Sequence, residues 1–178
     1  MEEYITPLNS CLGKQIATIS RICYVHNNET DFEKGPLELI FSEDITLHLT
    51  GKGDGETLHI RNEPWQDPFT EPLSETNQKF VQKHGKWGLF DRSHQEPYNR
   101  FLNLPLDCVH LIRNQFGTIA GLEMKFGDQI LDFIVDGDED YVFTKNSAAK
   151  LKNVGFSVDS NLFIGATESQ SGRDKPTV

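Results

Sequence analysis

The sequence lacks the short motifs that mark common catalytic and nucleotide-binding sites. It contains no G-x-S-x-G segment, no P-loop and no G-x-G-x-x-G segment that opens a helix. The glycine-rich stretch at residues 51–56 contains acids and is enclosed by a predicted hairpin, which is the wrong setting for holding a phosphate. We therefore expect no catalytic residues, no cofactor and no enzymatic activity.

Cysteine is scarce, and its positions exclude a disulfide framework. The three cysteines, Cys11, Cys23 and Cys108, form no C-x-x-C pair, and their number is odd. Cys23 lies within an apolar strand pattern and Cys108 lies just before another. We expect buried, reduced thiols that behave as small hydrophobic groups; a reactive thiol is the alternative.

Long apolar runs and an excess of basic residues are also missing. The chain opens with Met-Glu-Glu-Tyr, and no run long enough for a signal peptide or a membrane span follows. The 17 Lys and Arg are outnumbered by 27 Asp and Glu, so the net charge is −10. Such a surface repels nucleic acid and anionic membranes and attracts basic partners. We expect a cytoplasmic protein that binds neither.

The negative charge is concentrated in two segments. Residues 29–75 contain twelve acids and three bases, a net of −9. Residues 128–140 contain six acids and no base, whereas residues 76–127 between the two segments have a net charge of +3. The two acidic segments are therefore the natural candidates for contact with a basic partner.

Metal binding is poorly supported. His48 and His59 are predicted to face outward on paired strands, but two histidines are fewer than the ligands of a zinc site, and a solvated polar face explains them better. The acidic stretch at residues 136–140 begins like a calcium loop. An EF-hand needs Gly at its sixth position and Glu at its twelfth, where this chain has Tyr141 and Ser147. An acidic hairpin loop without a metal is the prediction.

The hydrophobic pattern alternates with a period of two, which predicts a mostly antiparallel α+β fold with two meander-like strand groups. Residues 51–56 have turn composition, so residues 45–61 are predicted to form a hairpin. The first group comprises strands at residues 14–25, 37–41 and 45–61, and the second comprises strands at residues 108–113, 118–126, 129–135 and 141–144.

One main helix is predicted between the two strand groups, at residues 74–84. Ser74 is a plausible N-cap, Lys83 and His84 fall in the last turn, and Gly85 fits the position after the helix. A shorter helix is possible at residues 148–153. We expect one domain over residues 1–164 and a flexible tail over residues 165–178, which shows no apolar periodicity.

The two tryptophans, Trp65 and Trp87, lie at the two ends of the segment that contains this helix. They either close the core where that segment docks or act as exposed aromatic anchors beside acids. The predicted partner-binding residues are the acids of the two acidic segments that fall in turns, together with one tryptophan: Asp54, Glu56, Trp65, Asp67, Asp136, Asp138, Glu139 and Asp140.

The order of three segments carries a resemblance: residues 35–39, Gly-Pro-Leu-Glu-Leu; residues 53–56, Gly-Asp-Gly-Glu; and Trp65 followed by Gly-Lys-Trp at residues 85–87. In pattern and size, residues 8 to 155 resemble small bacterial proteins that serve as immunity partners in polymorphic and type VI toxin systems. The resemblance implies non-catalytic inhibition of a cognate toxin. The alternatives are a small-molecule-binding or enzymatic β-domain, with His48 or His59 inside an aromatic pocket, and an adaptor subunit of a larger assembly.

Overall fold

The structure, a computed structural model, describes residues 1–144 and 155–165 of the 178-residue chain. Two α-helices and eleven strands lie in this part. The helices are α1 (Glu2–Cys11) and α2 (Glu75–His84). The strands are β1 (Ile16–His26), β2 (Glu29–Thr30), β3 (Leu37–Phe41), β4 (Ile45–Gly51), β5 (Leu58–Arg61), β6 (Lys86–Asp91), β7 (Cys108–Arg113), β8 (Ile119–Phe126), β9 (Gln129–Asp136), β10 (Glu139–Phe143) and β11 (Ser157–Gly165).

The strands form two antiparallel sheets, which confirms the predicted α+β class. The first sheet has the order β2-β1-β3-β4-β5, and β6 pairs with the other edge of β1. The second sheet has the order β10-β9-β8-β7-β11. Short turns join β3 to β4, β4 to β5, β8 to β9 and β9 to β10, so these neighbours run antiparallel, as their connections require.

Helix α2 begins and ends where its capping residues predict. The Ser74 side chain accepts a hydrogen bond from the Asn77 N–H, and the Gly85 N–H donates to the Val81 carbonyl oxygen. Glu75 lies in the first turn, and Lys83 and His84 lie in the last, where each charge is favourable to the helix dipole. None of its residues is buried, so the caps rather than packing define this helix.

The prediction of a single main helix is wrong, because the structure has a second helix, α1, which the sequence analysis does not predict. Pro7 inside the helix disfavours this conformation. Tyr4, Leu8 and Cys11 nevertheless recur at helical spacing and are all buried, and Glu2 and Glu3 lie in the first turn. The packing of this apolar stripe outweighs the loss of a backbone hydrogen bond at the proline.

One hydrophobic core joins α1 to both sheets. Leu39, Leu47 and Leu49 of the first sheet are fully buried with Leu122 and Phe133 of the second. The three cysteines are buried free thiols, as predicted, and burial raises the pKa of the Cys11 thiol to about 11. A thiol in this state is a poor nucleophile at neutral pH.

The observed elements differ from the predicted ones at several boundaries. Lys86–Asp91 forms strand β6 against β1, whereas the sequence suggests only the end of the helical segment. Glu139 and Asp140 belong to β10, so the acidic loop is shorter than predicted. The helix considered at residues 148–153 lies outside the described residues. Of the tail predicted at residues 165–178, Gly165 ends strand β11 and residues 166–178 lie outside the described residues.

Candidate functional site

A cavity of about 310 Å³ opens between the two sheets, where β4 and its turn into β5 meet the β9–β10 hairpin. Both tryptophans of the chain, Trp65 and Trp87, line it. Its polar lining comes from both sheets: His48, Thr50, Lys52, Arg61, Asp138, Glu139 and Asp140. Charged groups of both signs and two large aromatic rings therefore surround one small volume.

Asp140 is the buried carboxylate of this cavity. It is 7% exposed, and its Oδ2 accepts a hydrogen bond from Thr50 Oγ1 at 3.2 Å. Burial raises the pKa of Asp140 to about 6, against the opposing effects of hydrogen bonds from Thr50 and the Gly51 backbone and of the nearby Arg21 and His48. Within the described ranges, no cationic side chain lies at ion-pair distance from it.

Glu38 and His48 form a buried pair beside the cavity. They face each other across β3 and β4, with 3.7 Å between Glu38 Oε2 and His48 Nδ1, which is an electrostatic contact rather than a hydrogen bond. The Trp65 N–H donates to Glu38 Oε2 at 2.5 Å. Burial favours a higher pKa for Glu38, but His48 and the Trp65 N–H outweigh it and lower the pKa. The carboxylate therefore holds the Trp65 backbone in place.

Gly35 joins the two sheets at the cavity. Its N–H donates to the Asp140 carbonyl oxygen at 2.9 Å, and its carbonyl oxygen accepts from Nη2 of the buried Arg21, also at 2.9 Å. Its φ is +108°, and a Cβ at this position would lie 2.0 Å from the Ile22 carbonyl oxygen and 3.2 Å from the Trp87 ring. Only glycine allows the backbone to approach both neighbours this closely.

The two acidic turns, residues 52–57 and residues 137–138, meet at the mouth of the cavity. The Asp138 N–H donates to the Gly55 carbonyl oxygen at 3.1 Å. Gly55 has a φ of +70°, and a Cβ there would lie 2.1 Å from Asp138 Oδ1. Asp54 accepts hydrogen bonds from Thr57 Oγ1 and the backbone N–H groups of Thr57 and Glu56, which lower the pKa of Asp54 to about 2. These hydrogen bonds brace the turn, and the lowered pKa keeps its carboxylate ionised at neutral pH.

The structure brings most of the predicted partner-binding residues together. Trp65, Asp138, Glu139 and Asp140 line the cavity, and Asp54 and Glu56 flank Gly55 on the adjoining turn.

Two predicted residues lie elsewhere. Asp136 lines a smaller cavity of about 90 Å³, which also contains Glu56 and Phe116. Asp67 forms an ion pair with Lys86 at 2.7 Å, so its charge is already compensated.

The interpretation of His48 as an outward-facing, solvated residue is wrong, whereas the alternative that placed it inside an aromatic pocket agrees with its position. His48 is buried rather than outward-facing, and it is paired with Arg61, whereas His59 is paired with Thr50. The period of two correctly places His48 and Thr50 on one face of β4. That face is covered near His48 by the chain at Trp65, whose N–H donates to Glu38 beside His48, a long-range contact that periodicity does not reveal.

An exposed aromatic strip continues from the cavity across β1 and β6. Trp87 is 44% exposed and packs edge-on against Tyr24, with 5.7 Å between the ring centroids. Leu89 is on the same face of β6, two residues further along, and is also exposed. Of the two interpretations of the tryptophans, exposure of Trp87 favours an anchor at this position rather than closure of the core.

Within residues 1–144 and 155–165, no three or more His, Cys, Asp or Glu side chains are arranged to hold a metal ion. None of the helices described is long and apolar enough to cross a membrane. Comparison of the chain with known protein families, curated proteins and solved structures finds no match.

Proposed function

We propose that this protein binds a basic partner protein without catalysis, and that the partner is a bacterial toxin which the protein neutralises. The single observation that carries the proposal is the contact between Gly55 and Asp138, which joins two acidic turns that are far apart in the sequence. The binding surface consists of the acidic rim, defined as Asp54, Glu56, Asp138 and Glu139, and the cavity beside it. The resemblance to immunity proteins supplies the class of partner.

The charge on the rim is largely uncompensated. Glu139 forms an ion pair with Lys34 at 3.1 Å, and Lys52, beyond ion-pair distance, favours the ionised form of Asp54. Like charges held this close together repel one another and destabilise the folded chain. A cationic partner surface would remove this repulsion and would be attracted from a distance, which speeds association.

The exposed strip beside the rim supplies the apolar contact that charge alone does not. Trp87, Tyr24 and Leu89 are exposed next to the cavity. Aromatic side chains at the centre of an interface commonly contribute most of its affinity, whereas rim charges contribute mainly to the association rate. An exposed apolar strip that begins at the cavity beside the acidic rim fits a protein-binding surface.

A second candidate function is small-molecule binding. The observation that favours it is the position of His48, which lines the cavity together with both tryptophans. The cavity volume of about 310 Å³ is at the lower limit of typical small-molecule sites. Turnover or tight binding of a metabolite by the purified protein would support this candidate against the first.

The test of the first proposal uses the product of the neighbouring gene, co-expressed with this protein and assayed for growth rescue and association kinetics. We expect the double variant Glu56→Gln/Asp138→Asn to slow association about ten-fold at low salt and to flatten its salt dependence. The matched control is Asp44→Asn/Asp128→Asn. Asp44 and Asp128 lie just before β4 and β9, at the ends of these strands that are remote from the two acidic turns. Equal effects of the two double variants, or association insensitive to salt, would contradict the proposal.

A second arm tests the geometry of the rim without changing its charge. Gly55→Ala places a methyl group against Asp138 and forces a positive φ on alanine, so it should separate the two turns and slow association. Gly53→Ala, in the same turn, is the matched control because no atom lies within 4 Å of its added Cβ. If both variants bind like the wild type, contact between the turns does not matter for binding.

A further inference from the structure

We propose that the cavity receives the guanidinium group of an arginine side chain from the partner protein, with Asp140 as its counter-ion and Trp65 and Trp87 as its aromatic walls. That the guanidinium group comes from a partner protein rests on the proposed function. That the cavity binds a cation between aromatic rings and a carboxylate is independent of it.

The carboxylate of Asp140 is held ready for a cation. It is 7% exposed, and Thr50 Oγ1 and the Gly51 N–H fix its position. Burial of a carboxylate without an ion-pair partner is unfavourable, so such groups are uncommon outside functional sites. Two hydrogen bonds leave free acceptor positions on its oxygens, which two N–H groups of a guanidinium would fill.

The aromatic walls suit the same cation. Trp65 is held by the hydrogen bond from its N–H to Glu38, and Trp87 stands half-exposed at the mouth, packed on Tyr24. Tryptophan is the best aromatic partner for a cation, and a planar guanidinium stacks on it better than an ammonium group does. A volume of about 310 Å³ holds one side chain more readily than a large cofactor.

The cationic groups near Asp140 are engaged elsewhere, with one exception. Arg21 donates to Tyr98 and Gly35 and favours the ionised form of Asp140 from beyond ion-pair distance, and Lys52 pairs with Glu3. The His48 imidazole faces Glu38. Arg61 lines the cavity, is exposed and has no ion pair among the described residues, so it is the cation that an incoming arginine would encounter.

Arg61 therefore distinguishes a cation site from an anion site. If the cavity binds cations, removal of the Arg61 charge removes a repulsion and tightens binding. If instead Arg61 and Lys52 hold an anion, the same substitution weakens binding. The two outcomes have opposite signs.

The experiment titrates the intact protein with N-acetyl-L-argininamide, and with N-acetyl-L-citrullinamide as the neutral compound of the same shape. Because Trp65 and Trp87 are the only tryptophans in the chain, intrinsic fluorescence and the two indole N–H resonances report directly on the cavity. We expect saturable binding of the arginine compound with a Kd on the order of 1 mM, and none of the citrulline compound. Equal binding of the two compounds would overturn the proposal.

Variants of the cavity sharpen the result. Asp140→Asn should weaken binding of N-acetyl-L-argininamide at least about ten-fold, and Arg61→Gln should tighten it about three-fold. Asp128→Asn, at the far end of β9, should leave it unchanged. Unchanged binding by Asp140→Asn, with a melting transition that shows it is folded, would overturn the proposal. So would binding of inorganic phosphate that Arg61→Gln abolishes.

Two further measurements separate this inference from the proposed function and from a free ligand. In the complex with the partner, Asp140→Asn should speed dissociation with little effect on association, whereas the rim variants slow association. Rim-dependent association together with no binding of the arginine compound would overturn this inference and leave the proposed function standing. Binding of free agmatine about a hundred-fold tighter than N-acetyl-L-argininamide would identify a small molecule as the occupant and overturn the partner side chain.

Discussion

Each sheet carries one Glu–His pair across neighbouring strands, and the two pairs differ in burial. Glu38 and His48 lie between β3 and β4 with 3% and 1% of their side chains exposed. Glu123 and His110 lie between β8 and β7, closer to each other at 3.1 Å but 18% and 23% exposed. The same two residue types in the same cross-strand arrangement therefore occupy two different dielectric environments.

The Glu–His pair at the candidate site differs from the other pair in its burial and not in its residue types or pairing. A partly exposed Glu–His contact across two strands is an ordinary stabilising contact on a sheet surface. A buried pair must recover the cost of removing a charge from water, and here Glu38 does so through the Trp65 N–H at the edge of the cavity. The buried pair thus positions a cavity wall, whereas the partly exposed pair joins two strands.

The largest difference between the pairs should appear when each glutamate is removed. Glu38→Ala leaves the Trp65 N–H without its acceptor and His48 without its carboxylate neighbour, and we expect it to lower the free energy of unfolding by about 3–5 kcal/mol. Urea denaturation at pH 7 measures this loss. Because the pKa of Glu38 is lowered on folding, its stabilisation is present above the pKa of an unfolded glutamate and is lost as pH falls through the folded pKa.

If Glu38→Ala lowers the free energy of unfolding no more than Glu123→Ala does, the claim that the buried pair contributes more to stability is wrong. Glu38→Gln is the informative intermediate, because it keeps an acceptor for the Trp65 N–H while it removes the charge. If Gln restores most of the stability, the hydrogen bond to Trp65 rather than the charge is what Glu38 contributes.

Removal of the Asp140 charge should have the opposite effect on stability, because burial of this carboxylate outweighs its hydrogen bonds and the nearby Arg21 and His48. Its pKa is raised from the ordinary value of 3.8 to about 6, so the folded state binds the proton more tightly than the unfolded state. Ionisation of Asp140 therefore destabilises the fold by about 3 kcal/mol at pH values above 6, and this penalty disappears as pH falls below 3.8.

The corresponding variant is Asp140→Asn, which keeps the shape of the side chain without the charge. We expect it to raise the free energy of unfolding by about 3 kcal/mol at pH 8 and to match the wild type below pH 4, measured by urea denaturation across pH. A gain at neutral pH together with a loss of arginine binding is the signature of a residue retained for binding at a cost in stability. Destabilisation at pH 8 would instead show that Asp140 has a structural role.

The sequence predicts much of this fold because local signals determine it. The alternation in β4 and the turn residues 51–56 predict the first hairpin, and Ser74 and Gly85 predict the ends of α2. The cavity is not predicted in this way. Its main groups come from β4 and β10, which are distant in the chain, and the contact between Gly55 and Asp138 is invisible to periodicity.

The acids themselves were identifiable from composition, but their environments were not. Asp138 and Asp140 are two residues apart in one short segment, and the sequence assigns both to a solvated loop. In the structure Asp138 lies on the turn and Asp140 is buried within β10, because the β9–β10 hairpin packs against β4. Only the tertiary contact separates a rim charge from a cavity charge.

The smallest expected effect belongs to the partly exposed pair and completes the comparison. Glu123→Ala removes the 3.1 Å contact with His110, which is partly exposed to water, so we expect the free energy of unfolding to fall by less than about 1 kcal/mol. The deficit should shrink further in concentrated salt, because screening weakens an accessible pair much more than a buried one. Parallel urea titrations of the wild type and Glu123→Ala at low and high NaCl measure both quantities. A loss as large as that expected for Glu38→Ala, and unaffected by salt, would mean that the two pairs are energetically alike and that burial does not single out the cavity.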